Sequence, residues 1–132
     1  MSDCVQWLPL AELTLDKRAC LSSNGREHWR AAAAKTQALR TLAALSYRTD
    51  TATADAGRPV TLRAAISIDS RRRFDPPNYW PTLKALIDGL TDAGHWSDDN
   101  KDIIQGLLLT AGDTIAPKGK IHISLAYTRH PL

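Results

Sequence analysis

The fold of this protein is decided by residues 59–94, PVTLRAAISIDSRRRFDPPNYWPTLKALIDGLTDAG. At its start, residues 59–68 alternate aliphatic side chains with small or polar ones, which predicts a half-buried β-strand. At its end, residues 80–93 repeat leucine and isoleucine at helical spacing, which predicts a helix with one apolar face. Pro81 suits the first turn of that helix, and Gly94 suits its C-terminal end. A strand and a helix joined by an arginine-rich connection therefore form the centre of the domain.

The flanking sequence predicts the rest of a small α/β (α+β) domain. Residues 27–47 contain alanine and long side chains without an internal glycine or proline, which predicts a second helix. Residues 102–110 and about 120–128 predict two strands, and the glycine-containing turn between them predicts a hairpin. Residues 1–23 are poorly defined, although part of them could form a short edge strand, where Pro9 is tolerated. The predicted order is (β)–α–β–α–β–β, with two helices covering one face of a small mixed sheet.

Length and composition restrict the class of protein. The chain has 132 residues, of which 43% are hydrophobic and 23% charged, and this predicts a single globular domain over residues 1–132. No apolar run reaches the roughly 20 residues that span a bilayer, and no secretory signal is recognisable. We therefore expect a cytoplasmic protein without a membrane partner. Cys4 and Cys20 lack zinc-site spacing and are expected to be reduced thiols.

Positive charge is concentrated in two places, although the net charge is only +3. Arg71, Arg72 and Arg73 are consecutive, and residues 26–48 carry five basic side chains against the single acidic Glu27. Basic clusters attract polyanions such as nucleic acid. A solvated face that keeps the domain soluble has the same composition, so both interpretations stay open at this point.

Several carboxylates lie near the ends of predicted elements. Asp75 follows the strand, and Asp98 and Asp99 follow the helix. Grouped carboxylates repel one another unless a cation joins them, and Mg²⁺ prefers such oxygen ligands. The spacing does not itself bring Asp99 to Asp75, which would need the strand that follows Asp99 or a partner subunit. Lys84 could neutralise a phosphate or form an i,i+4 ion pair with Asp88.

The block from Arg71 through Asp99, RRRFDPPNYWPTLKALIDGLTDAGHWSDD, resembles the signature of the RusA-type Holliday junction resolvases. That signature contains basic residues, an Asp-x-Asp-Asn element, a helix with a lysine, and an Ala-Gly pair and a tryptophan before two aspartates. The matching residues here are Arg71–Arg73, Asp75, Asn78, Lys84, Asp88, Leu90, Ala93, Gly94, Trp96, Asp98 and Asp99. An upstream element also resembles a branch of the family, with Asn24, Arg26, His28, Trp29, Lys35 and Arg40. The resemblance extends over about residues 24–128.

This resemblance implies a small homodimeric endonuclease that binds four-way DNA junctions and cuts two strands symmetrically with Mg²⁺ or Mn²⁺. The implied process is DNA recombination or repair, and family members often occur in phages or prophages, so a nucleoid-associated location is expected. No organic cofactor is implied. The resemblance implies that Asp75 and Asp99 are metal ligands and that Asp98 is a further candidate ligand. It also implies that Lys84 is the catalytic lysine. The implied DNA contacts are Arg71, Arg72, Arg73, Asn78 and Lys84.

The sequence departs from the family pattern at the site itself. Pro77 replaces the second aspartate of Asp-x-Asp-Asn, and Phe74 replaces the usual basic residue before the first. The run between Asn78 and Lys84 is also about three residues longer. Proline cannot bind a metal, so Asp69 or Asp98 would have to complete the ligand set. A junction-binding module with weakened catalysis and a broader branched-DNA nuclease therefore remain alternatives.

Some of these residues also have purely structural interpretations. Asp75 could cap the turn before the proline pair, and Asn78 could cap the helix at Tyr79. Asp69 could simply end its strand at a turn. The tryptophans are typical of cores and interfaces, but Trp80, next to the candidate site, could stack on a base of an opened junction.

Overall fold

The structure is a computed structural model that describes residues 6–23, 25, 28–46, 59–94 and 104–129. The strands are β1 (Leu8–Asp16), β2 (Val60–Ser67), β3 (Ile104–Ala111) and β4 (Lys120–Thr128), and the helices are α1 (Trp29–Ser46) and α2 (Trp80–Asp92). Short 3₁₀ helices span Lys17–Ala19 and Pro76–Tyr79. This order confirms the predicted succession of elements and the mixed α+β class.

The four strands form one mixed sheet in the order β1-β4-β2-β3. β4 is antiparallel to both β1 and β2, whereas β2 and β3 are parallel. The predicted hairpin of the last two strands is wrong, because β2 lies between them. β3 follows a helical crossover and pairs parallel to β2, so the chain must cross the end of β2 before β4 can pair on its other side. The crossing segment is held there by the Gly112 N–H to Ile66 O bond (2.7 Å) and the Ala116 N–H to Ile68 O bond (2.9 Å).

β1 is an edge strand, as the N-terminal sequence indicated, but it is nine residues long rather than short. Its pairing with β4 runs from Leu8 opposite Tyr127 to Asp16 opposite Lys120, with an irregularity between Pro9 and Ala11. Proline donates no backbone hydrogen bond, which is tolerated at a sheet edge or a bulge. The N-terminal segment therefore completes the sheet.

The hydrophobic core lies between the helices and one face of the sheet. α2 contributes most of the helical part through Leu83, Leu86, Ile87 and Leu90, whereas α1 buries only Leu39 and Ala43. The alternate residues of β2 on the core face are at most 1% exposed, and they are Val60, Leu62, Ala64 and Ile66. None of the helices in the described ranges is long and apolar enough to cross a membrane.

The ends of α2 follow the predicted signals. Pro81 occupies the first turn, where its missing N–H costs no helical hydrogen bond. Gly94 has a φ of 81°, and its N–H donates to the Thr91 carbonyl over 3.0 Å. Glycine adopts this left-handed conformation without steric strain, which explains why the helix stops here.

Candidate functional site

A polar pocket of about 400 Å³ lies on the connection between β2 and α2. It is lined by Ser22, Arg72, Arg73, Phe74, Asp75, Asn78 and Tyr79. The tertiary structure therefore brings together Arg72, Arg73, Asp75 and Asn78 out of the predicted site residues. Arg71 lines a neighbouring pocket of about 310 Å³, and Arg72 and Phe74 line both. The whole arginine run is exposed at this end of the sheet.

Local packing explains why the charged side chains of this connection face solvent. Phe74 is partly buried against the core and packs edge-on against Tyr79, with ring centroids 6.1 Å apart. The Asn78 N–H donates to the Asp75 carbonyl over 2.9 Å, which closes the 3₁₀ helix Pro76–Tyr79. The apolar anchor and the tight turn together leave Arg73 and Asp75 exposed on either side of Phe74.

The carboxylate of Asp75 does not serve the turn that it precedes. Asp75 is the N-terminal cap residue of the 3₁₀ helix, but its side chain makes no capping hydrogen bond. Within the described part of the chain, neither Arg72 nor Arg73 forms an ion pair with it, although all three line the same pocket. Because the Asp75 carboxylate and the two guanidinium groups do not pair with each other, they are available to an external ligand. Likewise, the helix that begins after Tyr79 has no side-chain cap, so Asn78 does not cap it.

Part of the pocket lining comes from Ser22, which sequence reasoning did not assign to the site. The hydroxyl of Thr82, which is fully buried, donates to the Leu21 carbonyl and accepts from the Leu21 N–H, both over 2.7 Å. The Ser23 N–H also donates to the Asn78 carbonyl over 2.8 Å. These bonds fix Ser22 beside the arginines. No local motif indicates this contact, because it joins residues about 60 positions apart.

Two groups have raised pKa values: Cys20, two residues before Ser22, and Tyr79, which lines the pocket. Burial raises the pKa of the Cys20 thiol to about 11, so this cysteine is protonated at neutral pH and is a poor nucleophile. Its thiol is not in a disulfide, as expected, whereas Cys4 lies outside the described residues. Burial also raises the pKa of the Tyr79 phenol, which therefore stays neutral beside Asp75. Neither of these two side chains is therefore an activated thiol or phenolate.

Asp69, the proposed substitute ligand, is held in a structural network. Its carboxylate accepts the Gly119 N–H over 2.8 Å and pairs with the Lys17 ammonium over 2.8 Å. The Lys17 N–H in turn donates to the Gly119 carbonyl over 3.1 Å. The hydrogen bond from Lys17, followed by that from Gly119, lowers the pKa of Asp69. Asp69 therefore ties the turn before β4 to the end of β1, and it is not among the residues that line the Asp75 pocket.

We expect the Asp69→Asn variant to be less stable than the wild type at pH 7 and to approach it in stability at pH 3. Because the pKa of Asp69 is lowered by folding, its contribution is complete above the ordinary carboxyl pKa of about 4 and is lost as the pH falls through the lower folded value. Urea unfolding at both pH values measures the difference. Asp113→Asn, on an exposed turn, is the matched control and should change stability little at either pH. An equal loss in Asp69→Asn at both pH values would contradict this role.

Lys84 lies next to a second pocket, on the first turns of α2. Its ammonium pairs with the Asp88 carboxylate over 2.8 Å, which confirms the i,i+4 contact, and its side chain is still 47% exposed. The pocket has a volume of about 330 Å³ and is lined by Trp80, Lys84, Ile87, Ile104, Gln105, Gly106 and Leu107. The start of α2 is thereby brought beside the start of β3. Ile104 follows Asp99 by five positions in the sequence.

The remaining predicted metal ligands, Asp98 and Asp99, lie outside the described residues. Among the residues that the structure does describe, no group of three histidine, cysteine, aspartate or glutamate side chains could hold a metal ion. Asp75 is the only carboxylate among the described residues that line its pocket. Of the predicted ligands, only Asp75 lines this pocket, and the described residues do not complete a metal site by themselves.

Similarity to known proteins does not identify this chain. No protein-family model matches it, and no curated protein matches it. The assignment of function therefore depends on the residues of the site.

Proposed function

We propose that this protein is an Mg²⁺-dependent endonuclease that resolves four-way DNA junctions by paired phosphodiester hydrolysis, in the manner of the RusA-type resolvases that its sequence resembles. Mn²⁺ is the proposed replacement for Mg²⁺. The proposed substrate site is the pocket of Asp75, Arg72 and Arg73, extended by Arg71 and Asn78. Lys84, one helical turn into α2, is the proposed cation next to the reacting phosphate.

One observation carries this proposal: a carboxylate and two arginines, none of them ion-paired within the described part of the chain, line a single exposed pocket. Two guanidinium groups on one loop suit a phosphodiester backbone, since arginine binds phosphate through parallel hydrogen bonds. A negative carboxylate among phosphate-binding arginines weakens phosphate binding unless it has its own cationic partner, which a divalent metal supplies.

The proposed metal site combines Asp75 with Asp99 and with Asp98 or Asp69. A divalent metal supplies Lewis-acid polarisation of the phosphate and stabilisation of the leaving oxygen. The protein's own groups orient the DNA: Arg72 and Arg73 bind the backbone, and Asn78 is fixed at the pocket wall by its backbone hydrogen bonds. Asp69 is the weaker candidate for the third ligand, because Lys17 and Gly119 already occupy its carboxylate.

The proposed assembly is a homodimer. A four-way junction contains two equivalent strands to cut, and a two-fold symmetric dimer presents one site to each of them. A monomer would have to dissociate and bind again to make the second cut. The proposed partners are therefore a second copy of this chain and branched DNA.

The second candidate function is a junction-binding module in which cleavage is weak or lost. Pro77 favours it, because proline occupies the position of a carboxylate in the RusA pattern and lies close to Asp75 in the sequence. The arginine pocket supports DNA binding equally well in this case. A nuclease acting on a wider range of branched DNA is a variant of the first proposal and uses the same groups.

Cleavage of a labelled synthetic four-way junction tests the proposed function. The protein is incubated with the junction or with a linear duplex of the same sequence, in Mg²⁺, Mn²⁺ or EDTA. Symmetric cuts in the junction that need a metal and are missing from the linear duplex support a resolvase. Tight junction binding without cleavage in either metal supports the binding module, and equal affinity for both DNAs contradicts both candidates.

A further inference from the structure

We infer that the second pocket, between the start of α2 and the start of β3, binds one unpaired nucleobase of the branched DNA, stacked on the indole of Trp80. This inference rests on the proposed function, because it extends the same DNA-binding surface. It adds a contact that recognises the opened branch point rather than the phosphate backbone. We call this pocket, lined by the seven residues named above, the Trp80 pocket.

The composition of the Trp80 pocket suits a flat aromatic ligand with a charged backbone attached. Trp80 is 42% exposed although it is one of the largest apolar side chains in the chain. Ile87, Ile104 and Leu107 supply apolar lining, and the 47% exposed side chain of Lys84 lines the same pocket one helical turn from Trp80. An exposed aromatic ring beside a cation is the usual arrangement for holding single-stranded nucleic acid, because the ring stacks on the base and the cation attracts the phosphate.

The strand that borders the pocket can add hydrogen bonds to the base edge. β3 is the edge strand of the sheet formed by the described residues, and it pairs there with β2 on one side. Half of the backbone N–H and C=O groups of an edge strand point away from the sheet and are available to a ligand. Backbone groups read a base through donors and acceptors without adding charge. The volume of about 330 Å³ is near the lower limit of ordinary small-molecule sites, which favours one base over a peptide segment.

The Trp80 pocket and the arginine pocket are lined by consecutive residues of the chain. Asn78 and Tyr79 line the arginine pocket, and Trp80 is the next residue along the chain. The 3₁₀ helix Pro76–Tyr79 thus separates a phosphate-binding loop from an aromatic pocket by a few residues. A base unpaired at the branch point could enter the Trp80 pocket while its backbone lies along the arginines. Fully paired duplex cannot offer such a base, so the Trp80 pocket would contribute specificity for branched DNA.

The test compares binding of a duplex containing one bulged nucleotide with binding of the fully paired duplex, by fluorescence anisotropy in EDTA. The wild type should prefer the bulged duplex by about 5- to 150-fold, the range expected for stacking of one base on an aromatic side chain. Trp80→Ala should abolish this preference and leave binding of the paired duplex unchanged. Trp80→Phe, which keeps an aromatic face, should retain most of it. Trp29→Ala removes a tryptophan that is 68% exposed and outside the pocket, and it should behave as the wild type.

The outcomes separate this inference from the proposed function. A wild-type preference for the bulged duplex that survives in Trp80→Ala overturns the inference and leaves the proposed function intact. Equal wild-type affinity for the two duplexes, together with cleavage of four-way junctions, also overturns the inference and leaves the proposed function intact. A wild type that binds neither duplex nor junction overturns both. Thermal unfolding of Trp80→Ala within a few degrees of the wild type excludes misfolding as the cause of its reduced preference.

Discussion

Replacing Asp75 with asparagine is expected to lower the rate of four-way junction cleavage by about 100- to 1,000-fold while leaving junction binding intact. Asparagine has the same shape but no negative charge, so it is a much weaker ligand for Mg²⁺. A bound metal contributes several kcal/mol to stabilising the transition state, and each 1.4 kcal/mol corresponds to a tenfold change in rate. Because the Asp75 carboxylate makes no hydrogen bond in its turn, the substitution should not disturb the pocket.

Rates of junction cleavage in Mg²⁺ and affinities in EDTA, measured for the same preparation, separate the two effects. Binding should be equal to that of the wild type or slightly tighter, since the variant removes a charge that repels phosphate. The double variant Arg72→Gln, Arg73→Gln provides the contrasting case. That variant should bind weakly, and the slope of log affinity against log salt should become shallower by nearly one unit for each phosphate that is no longer neutralised.

Asp113→Asn, which changes an exposed carboxylate on the neighbouring turn, is the control and should cleave normally. Wild-type cleavage by Asp75→Asn would exclude Asp75 as a metal ligand. A decrease of binding and of cleavage in equal measure would instead indicate that Asp75 maintains the shape of the pocket.

Replacing Gly89 with alanine is expected to destabilise the fold by about 1–3 kcal/mol, the ordinary cost of overpacking a core. Gly89 lies where α2 crosses α1, and a Cβ atom there would overlap the backbone carbonyl of Arg40 and the side chain of Ala43. A backbone carbonyl cannot rotate away as a side chain can, so the two helices must separate. In α1, Arg40 is also tied to Asp92 of α2 by a paired hydrogen bond of 2.9 and 3.0 Å, which opposes this separation.

Intrinsic helix propensity predicts the opposite sign for Gly89→Ala, since alanine is favoured over glycine by about 1 kcal/mol inside a helix. The urea midpoint therefore distinguishes packing from propensity. Gly106→Ala in β3 is the control, because an added Cβ atom there would meet Thr61 at an ordinary 3.6 Å. A Gly89→Ala protein at least as stable as the wild type would show that the helices can separate without cost.

The elements themselves were predictable because their signals are local. The alternation of residues 59–68 and the helical repeat of residues 80–93 correspond to β2 and α2 within about one residue at each end. Gly94 and Pro81 mark the helix ends for steric reasons that act within one turn. The i,i+4 pair of Lys84 and Asp88 also follows from helix geometry alone.

The pairing of strands was not predictable in the same way. Consecutive strands joined by a glycine-containing turn commonly form a hairpin, but β3 and β4 are separated by β2. In its central position β4 pairs with an antiparallel strand on each side, and Ile121, Ile123 and Leu125 are at most 2% exposed. The central position of β4 requires β1 as its second neighbour. The residues of β1 carry the weakest local signal of the four strands.

The sequence by itself determined the classes of element, their order, and the cluster of arginines and aspartate between β2 and α2, because all of these depend on neighbours within a few residues. Only the tertiary structure decided that Ser22 closes the pocket, that Asp69 is occupied by Lys17 and Gly119, and that Trp80 meets the start of β3. Each of these contacts joins segments more than 20 residues apart. Such contacts are selected by the burial of a shared core, which no local pattern of residues encodes.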